Sequence, residues 1–329
     1  MEANRTGLGQ VLGWSGAMGA PVHPRRGGVM RRSFRWWAAS TAAVACVLAT
    51  ASVSPAQEPL DVLLTNDDGY AAPTLAVLKQ ALTAAGHRVT VVAPCDDQSG
   101  SGTELSSNYA TGEPTEENTI TAKQLAPDVW SVCGSPGDAV LFGVQNVFAS
   151  EPPDVVVSGV NPGQNTGAVA NHSGTVGATI TSAELAIPAI AVSVEIDVST
   201  DPPQVGSVPA VAEHATRVLD QLRSTSNGGP LLPPHIALNI NYPVASEVRG
   251  TQVTSTGRAA FVRPRYERTD LCPDCYVIRP EFDTSPDPVR DSDNNALAAD
   301  HVSVTPLDGD WTAADHVRAS IRQRLGIPR

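Results

Sequence analysis

Aromatic side chains make up only 5% of this 329-residue chain and charged ones only 17%. The charge is lopsided: 22 Lys and Arg face 34 Asp and Glu, a formal net charge of −12. A phosphate backbone is repelled by such a surface, which argues against a nucleic-acid polymer as partner in the absence of a local basic groove. Divalent cations suit the surplus of carboxylates better. Long apolar runs are also scarce. The one extended run, Ala38 to Ala51, falls short of the ~20 residues that cross a bilayer. No Gly-Lys-Ser/Thr follows a glycine loop, no G-x-S-x-G elbow occurs, and no glycine-rich fingerprint opens the first helix. A P-loop, a serine-hydrolase triad and a dinucleotide site are therefore unsupported. No internal repeat is visible. The 41% hydrophobic content excludes wholesale disorder, and 27 Gly with 27 Pro point to many tight turns and loop-built sites.

The N-terminus reads as an address rather than as fold. Met30-Arg31-Arg32-Ser33-Phe34 opens a charged segment, the apolar run follows, and Ser54-Pro55-Ala56 offers small residues for cleavage. This is the plan of a secretory signal with a twin-arginine flavour. It predicts export to the periplasm or medium, a mature start near Gln57 and no stable membrane span after processing. Met30 competes with Met1 as the true start. Four cysteines remain beyond the signal: Cys95, Cys133, Cys272 and Cys275. They admit three disulfide pairings. Cys272-Pro-Asp-Cys275 reads as a structural clip in a loop, with no second CxxC or HxxxH to complete a zinc site.

Beyond the signal the pattern alternates strand and helix. Asp61–Thr65 is a buried strand, Leu75–Ala85 a helix stopped at Gly86, and Arg88–Ala93 a β-branched strand. Asp154–Val160, Thr175–Leu185, Ala189–Val194, Val208–Leu222 and His235–Tyr242 continue strand, helix, strand, helix, strand. The order predicts an α/β fold with a doubly wound, mostly parallel sheet over 57–243. Residues 244–329 hold short β-like pieces (Gln252–Ser255, Tyr276–Arg279, His301–Val304) in a Pro-rich background, then an amphipathic helix at 312–325. They are expected to form a hairpin or arm.

In such a sheet, ligands gather at the carboxyl ends of the strands. Asn66-Asp67-Asp68-Gly69, Gln98-Ser99-Gly100 and Ser158-Gly159-Val160-Asn161 all fall there. Adjacent aspartates repel unless a cation or donors balance them. Asp67, Asp68, Ser99 and Asn161 together supply the oxygen ligands that hard cations such as Mg²⁺ or Mn²⁺ take. Ser173-Gly174-Thr175 opens a helix, where unpaired N–H groups and the helix dipole suit an anion.

Leu63-Leu64-Thr65-Asn66-Asp67-Asp68-Gly69-Tyr70, Val91-Val92-Ala93-Pro94 with Gln98-Ser99-Gly100, Val155–Asn161, Ser173–Ala178, Asp293 with Ala296, and Ser303–Leu307 together resemble the survival protein SurE family over residues 60 to 312. The resemblance implies a Rossmann-like core and a metal-dependent phosphomonoesterase acting on small nucleoside 5′- or 3′-monophosphates. It further implies an arm exchanged between subunits of a homodimer or homotetramer. It places the metal on Asp67, Asp68, Ser99 and Asn161, with Asp67 and Asp68 catalytic, and the phosphate on Ser173, Gly174 and Thr175. Asn66, Asn165 and His172 stand next to the substrate in this reading, and His172 occupies a place where the family usually carries Tyr. The competing expectation is an exported protein that binds phosphate or a nucleotide without turnover.

Overall fold

The computed structural model describes residues 58–328. The export signal expected within 1–56 lies outside the described residues. In chain order the elements are β1 (Asp61–Thr65), α1 (Pro73–Ala84), β2 (Arg88–Pro94), β3 (Ala122–Ala126), β4 (Val129–Val132), α2 (Pro136–Phe142), β5 (Val155–Pro162), α3 (Gly174–Glu184) and β6 (Ala189–Val194). There follow β7 (Ile196–Asp197), β8 (Gln204–Val205), α4 (Val208–Thr225), β9 (Ala237–Tyr242), β10 (Thr251–Val253), β11 (Val262–Arg268), β12 (Tyr276–Phe282), α5 (Asp293–Ala298), β13 (Val302–Leu307) and α6 (Asp315–Arg324).

Nine strands form one sheet in the order β10-β13-β9-β6-β5-β1-β2-β4-β3. The run from β9 through β4 is parallel, while β13 pairs antiparallel with β9 and parallel with β10, and β3 pairs antiparallel with β4. The fold class expected from the sequence is thus observed. Successive residues of β1 feed opposite faces of the sheet. Val62 and Leu64 pack with Leu75, Leu78 and Leu82 of α1 and with Val211, Ala215 and Leu219 of α4. Leu63 packs with Ala139 and Val140 of α2 and with Ala178 and Ala183 of α3. Helices cover both faces, so the central strands read as unbroken apolar runs.

Local chemistry sets the helix starts. Ser173, Ser207 and Ser292 accept hydrogen bonds from Val176 N, Ala210 N and Asn295 N and so cap α3, α4 and α5. Ser135 and Asp138 form a reciprocal capping box for α2.

The sheet reaches past residue 243. Two pieces expected as parts of an arm, β10 and β13, add to the main sheet, with Ser303 facing Asn241 across the β13–β9 pair. The β11–β12 hairpin stands apart as its own two-stranded sheet, and α6 buries none of its residues. The cysteines pair as Cys95–Cys133 and Cys272–Cys275, with Cα atoms 4.8 and 5.1 Å apart. The second pair is the clip expected in the loop between β11 and β12.

Asp293 is fully buried and ties the C-terminal region to the loop before α3. Its carboxylate accepts from Gly167 N at 3.0 Å, Gly257 N at 2.9 Å and Asn294 N at 2.9 Å. Burial pushes its carboxyl above the ordinary value, while these N–H donors pull the other way. Removing the carboxylate strands two buried donors, Gly167 N and Gly257 N, and the half-buried Asn294 N. Asp293→Ala should therefore lower the unfolding free energy by roughly 3 kcal/mol or more, measured by urea denaturation followed by circular dichroism.

Candidate active site

β2, β1 and β5 are neighbours in the sheet and run the same way. Their carboxyl ends therefore open onto one edge, and the start of α3 joins them there. Asp67 and Asp68 follow directly on β1. Gly69 (φ +96°) makes the turn that a residue with a side chain rarely adopts, and Tyr70 N returns to Pro94 O at 2.8 Å. The loop after β2 is drawn against the aspartates by Gln98 N, which donates to Asp67 O at 2.7 Å.

Asp67 is 3% exposed, and its Oδ1 accepts the Thr175 hydroxyl at 2.6 Å. This single bond joins β1 to α3. Gly174 sits so close that a Cβ there would lie 2.8 Å from Asp67 Cβ and 2.7 Å from Ser101 Oγ. Only glycine lets the helix start approach the carboxylate in this way. Burial, the largest influence, pushes the Asp67 carboxyl above its ordinary value, against the Thr175 hydrogen bond. Asp68 is pushed up to about 6, first by burial and then by the charges of Asp67 and Asp97.

The donor set fits a hard divalent cation. Asp68 Oδ2 and Asn66 Oδ1 are buried oxygens without any hydrogen-bond partner, an expensive arrangement for the protein alone. Asn161 turns its amide nitrogen to Gly163 O at 2.8 Å, which leaves its oxygen free to ligate. Ser99 is exposed on the loop after β2, its N–H held by Asp97 Oδ1 at 2.8 Å. Asp97 is the residue that sequence reasoning missed. Its charge acts on both aspartates, and the available signal was a third carboxylate two residues before Ser99.

Three expected site residues take different roles. Thr175 directs its hydroxyl to Asp67 rather than outward, so it positions a carboxylate. Ser173 Oγ accepts from Val176 N at 3.1 Å as the helix cap, and its own proton remains available to an anion. Asn165 is 5% exposed and committed to the fold. It donates from N to Asn241 Oδ1 at 2.7 Å and from Nδ2 to Ser193 Oγ at 3.0 Å, and its carbonyl accepts from Asn239 Nδ2 at 2.7 Å. His172 is exposed, and its carbonyl accepts from Gly102 N at 3.2 Å. Asn66 braces the turn by donating to Gly69 O at 3.0 Å.

Known proteins resemble this chain over a span that contains Asp67, Asp68, Ser99, Asn161 and Ser173. The family model "Survival protein SurE" matches residues 62–263. The 5′-nucleotidase SurE of Acinetobacter baumannii is 36% identical over 259 residues, covering 77% of this chain and 95% of that protein. Its counterpart from Parvibaculum lavamentivorans is 35% identical over 261 residues, covering 77% and 87%. Among solved structures, the SurE protein from Aquifex aeolicus superposes with a TM-score of 0.63 at 30% identity, covering 80% of this chain and 99% of that one.

The raised Asp68 pKa has a consequence for the metal-free chain. The folded carboxyl holds its proton up to about 6 while the unfolded one releases it near 3.8. The contribution of this carboxyl to folding stability is thus fully present below about pH 4 and is lost as pH rises through 6. The thermal midpoint of metal-free protein should fall between about pH 4 and 6.5, and Asp68→Asn should remove part of that fall. Mg²⁺ should raise the midpoint of the wild type at pH 7.5 far more than that of the variant. Differential scanning calorimetry measures both.

Proposed function

This chain belongs to the survival protein SurE family, and we propose on that premise that it hydrolyses nucleoside 5′- and 3′-monophosphates to nucleoside and phosphate with Mg²⁺ or Mn²⁺. The observation that carries the reading is the approach of α3 to the paired aspartates through Thr175 and Gly174. It sets an anion-binding helix start against a cation-binding carboxylate pair. Asp67, Asp68, Ser99 and Asn161 are the residues to hold the cation. A cation held by them would supply charge neutralisation at the phosphate and a lowered pKa for water.

The chain's own groups do the rest. Ser173 Oγ–H and the Gly174 N–H, which has no partner within its helix, hold phosphoryl oxygens as charge shifts during transfer. Thr175 keeps Asp67 in one orientation, so this carboxylate needs no reorganisation when the substrate arrives. Asp67 or Asp68 takes the proton from the attacking water as the new O–P bond forms and the P–O bond to the nucleoside breaks, and that proton then passes to the departing nucleoside oxygen. His172, exposed, immediately precedes Ser173.

Exposed apolar residues support assembly into a homodimer or homotetramer. Tyr266, Ile278 and Phe282 line the β11–β12 hairpin, and Val317, Ile321 and Leu325 line α6. The Met30–Ala56 pattern supports export. N-terminal sequencing of protein from its native cells should then give a start near Gln57. A chain beginning at Met1 in the cytosol would refute export. Among the described residues, no helix is long and apolar enough to cross a membrane.

The function is tested on a panel of phosphomonoesters. The purified chain should release phosphate from AMP with Mg²⁺ or Mn²⁺ and lose that activity in EDTA. Asp67→Asn should lower kcat/KM at least ~100-fold with the circular dichroism spectrum unchanged. Tight AMP binding with no phosphate release would instead identify a protein that captures nucleotides without turnover.

A further inference from the structure

The loop that brings Asp97 and Ser99 to the aspartates is clipped at both ends to one other segment. At its root, Cys95 is bonded to Cys133, which follows β4 directly. The β2–β4 ladder already ends there, with Pro94 facing Val132 and Cys95 N donating to Val132 O at 2.9 Å. At its far end, Glu104 O accepts from Ser135 Oγ at 2.5 Å. Ser106 donates from N and Oγ to the two Asp138 oxygens at 3.0 and 2.8 Å. Segment 133–138 therefore grips the loop on either side of its metal-facing stretch, covalently on one side. Between the clips, Gln98 N reaches Asp67 O and Gly102 N reaches His172 O. Loop, aspartates and phosphate turn are thus in direct contact.

We propose that Cys95 and Cys133 are positioning residues for the cation site. Their disulfide fixes the root of the 95–106 loop, and so the placement of Ser99 and of the Asp97 charge beside Asp67 and Asp68. This rests on the reading of Asp67, Asp68 and Ser99 as cation ligands. Opening the bond frees the loop at its root and leaves the Gln98 and Ser106 ties, so the site is loosened rather than lost. Loss of an outer support of this kind weakens metal binding about tenfold. A phosphine opens the bond by giving up two electrons. It becomes the phosphine oxide with oxygen from water, and the two sulfurs become thiols with that water's protons. A site tightened in this way reaches full affinity only in an oxidising compartment.

The test measures Mn²⁺ affinity directly, by isothermal titration on the full chain. The oxidised wild type, the Cys95→Ser/Cys133→Ser variant and the Cys272→Ser/Cys275→Ser variant are compared, each with and without phosphine. The proposal expects about tenfold weaker Mn²⁺ binding in the first variant and in the phosphine-treated wild type. It also expects the second variant to bind as the oxidised wild type does and to weaken on reduction. AMP turnover at saturating Mn²⁺ should recover most of kcat. If the Cys95→Ser/Cys133→Ser chain does not fold, reversible reduction and reoxidation of the Cys272→Ser/Cys275→Ser chain gives the same comparison. Equal Mn²⁺ affinity in oxidised and reduced forms, even with a lower thermal midpoint, would make the bond a general brace and overturn the proposal. Failure of the oxidised wild type to bind Mn²⁺ at all would instead overturn the cation reading beneath it.

Discussion

The hydrogen bond from the Thr175 hydroxyl to Asp67 is the contact on which the site depends. It is short, 2.6 Å, it is buried, and its acceptor is a carboxylate. Bonds to charged groups in such surroundings are the strong ones. It joins residues 108 apart in sequence and brings together two separate features, a strand end and a helix start. The missing side chain of Gly174 permits the approach, and the Asp293 carboxylate fixes the Gly167 turn that delivers the helix. The protein thereby holds two carboxylates side by side where burial and mutual repulsion both oppose it. That is a cost in stability of the kind proteins accept at functional sites.

Much of this arrangement was legible in the sequence. β1, α1, β2, β5, α3, β6, α4 and β9 are long apolar or periodic segments with clear stops, and their order alone implies a parallel sheet. The aspartate pair, Asn161 and the Ser-Gly-Thr turn announce themselves because polar residues at strand ends have little else to do. β3 and α2 escaped for physical reasons. Ala-Lys-Gln-Leu-Ala in β3 is a largely exposed edge strand, so burial imposes no alternation on it. Pro-Gly-Asp-Ala-Val-Leu-Phe in α2 spans only seven residues, too few for a helical period to emerge.

The roles of Thr175 and Asn165 were not legible, because both depend on where distant elements meet. A threonine near a helix start donates to whatever lies opposite, and only the packed α3–β1 distance shows that this is Asp67. Asn165 stands in a Gly/Asn-rich loop that looks like a ligand loop. Asn239 and Asn241, buried in β9, hold it inside instead. Buried amides on a strand require partners, and the loop supplies them.

The Asp293 link also sets the order in which the molecule becomes competent. Its partners at Gly167 and Gly257 lie 126 and 36 residues earlier in the chain, and β13, which pairs with β9, comes later still. During synthesis, the strands and helices through β9 have all emerged before the residue that locks the turn ahead of α3 has been made. Contacts of such long sequence separation form late because the intervening chain must first close into a loop. A nascent or truncated chain can therefore build most of the sheet and yet lack a settled Gly167 turn ahead of α3. The arrangement is completed by a residue made after all the strands and the helix start that it organises.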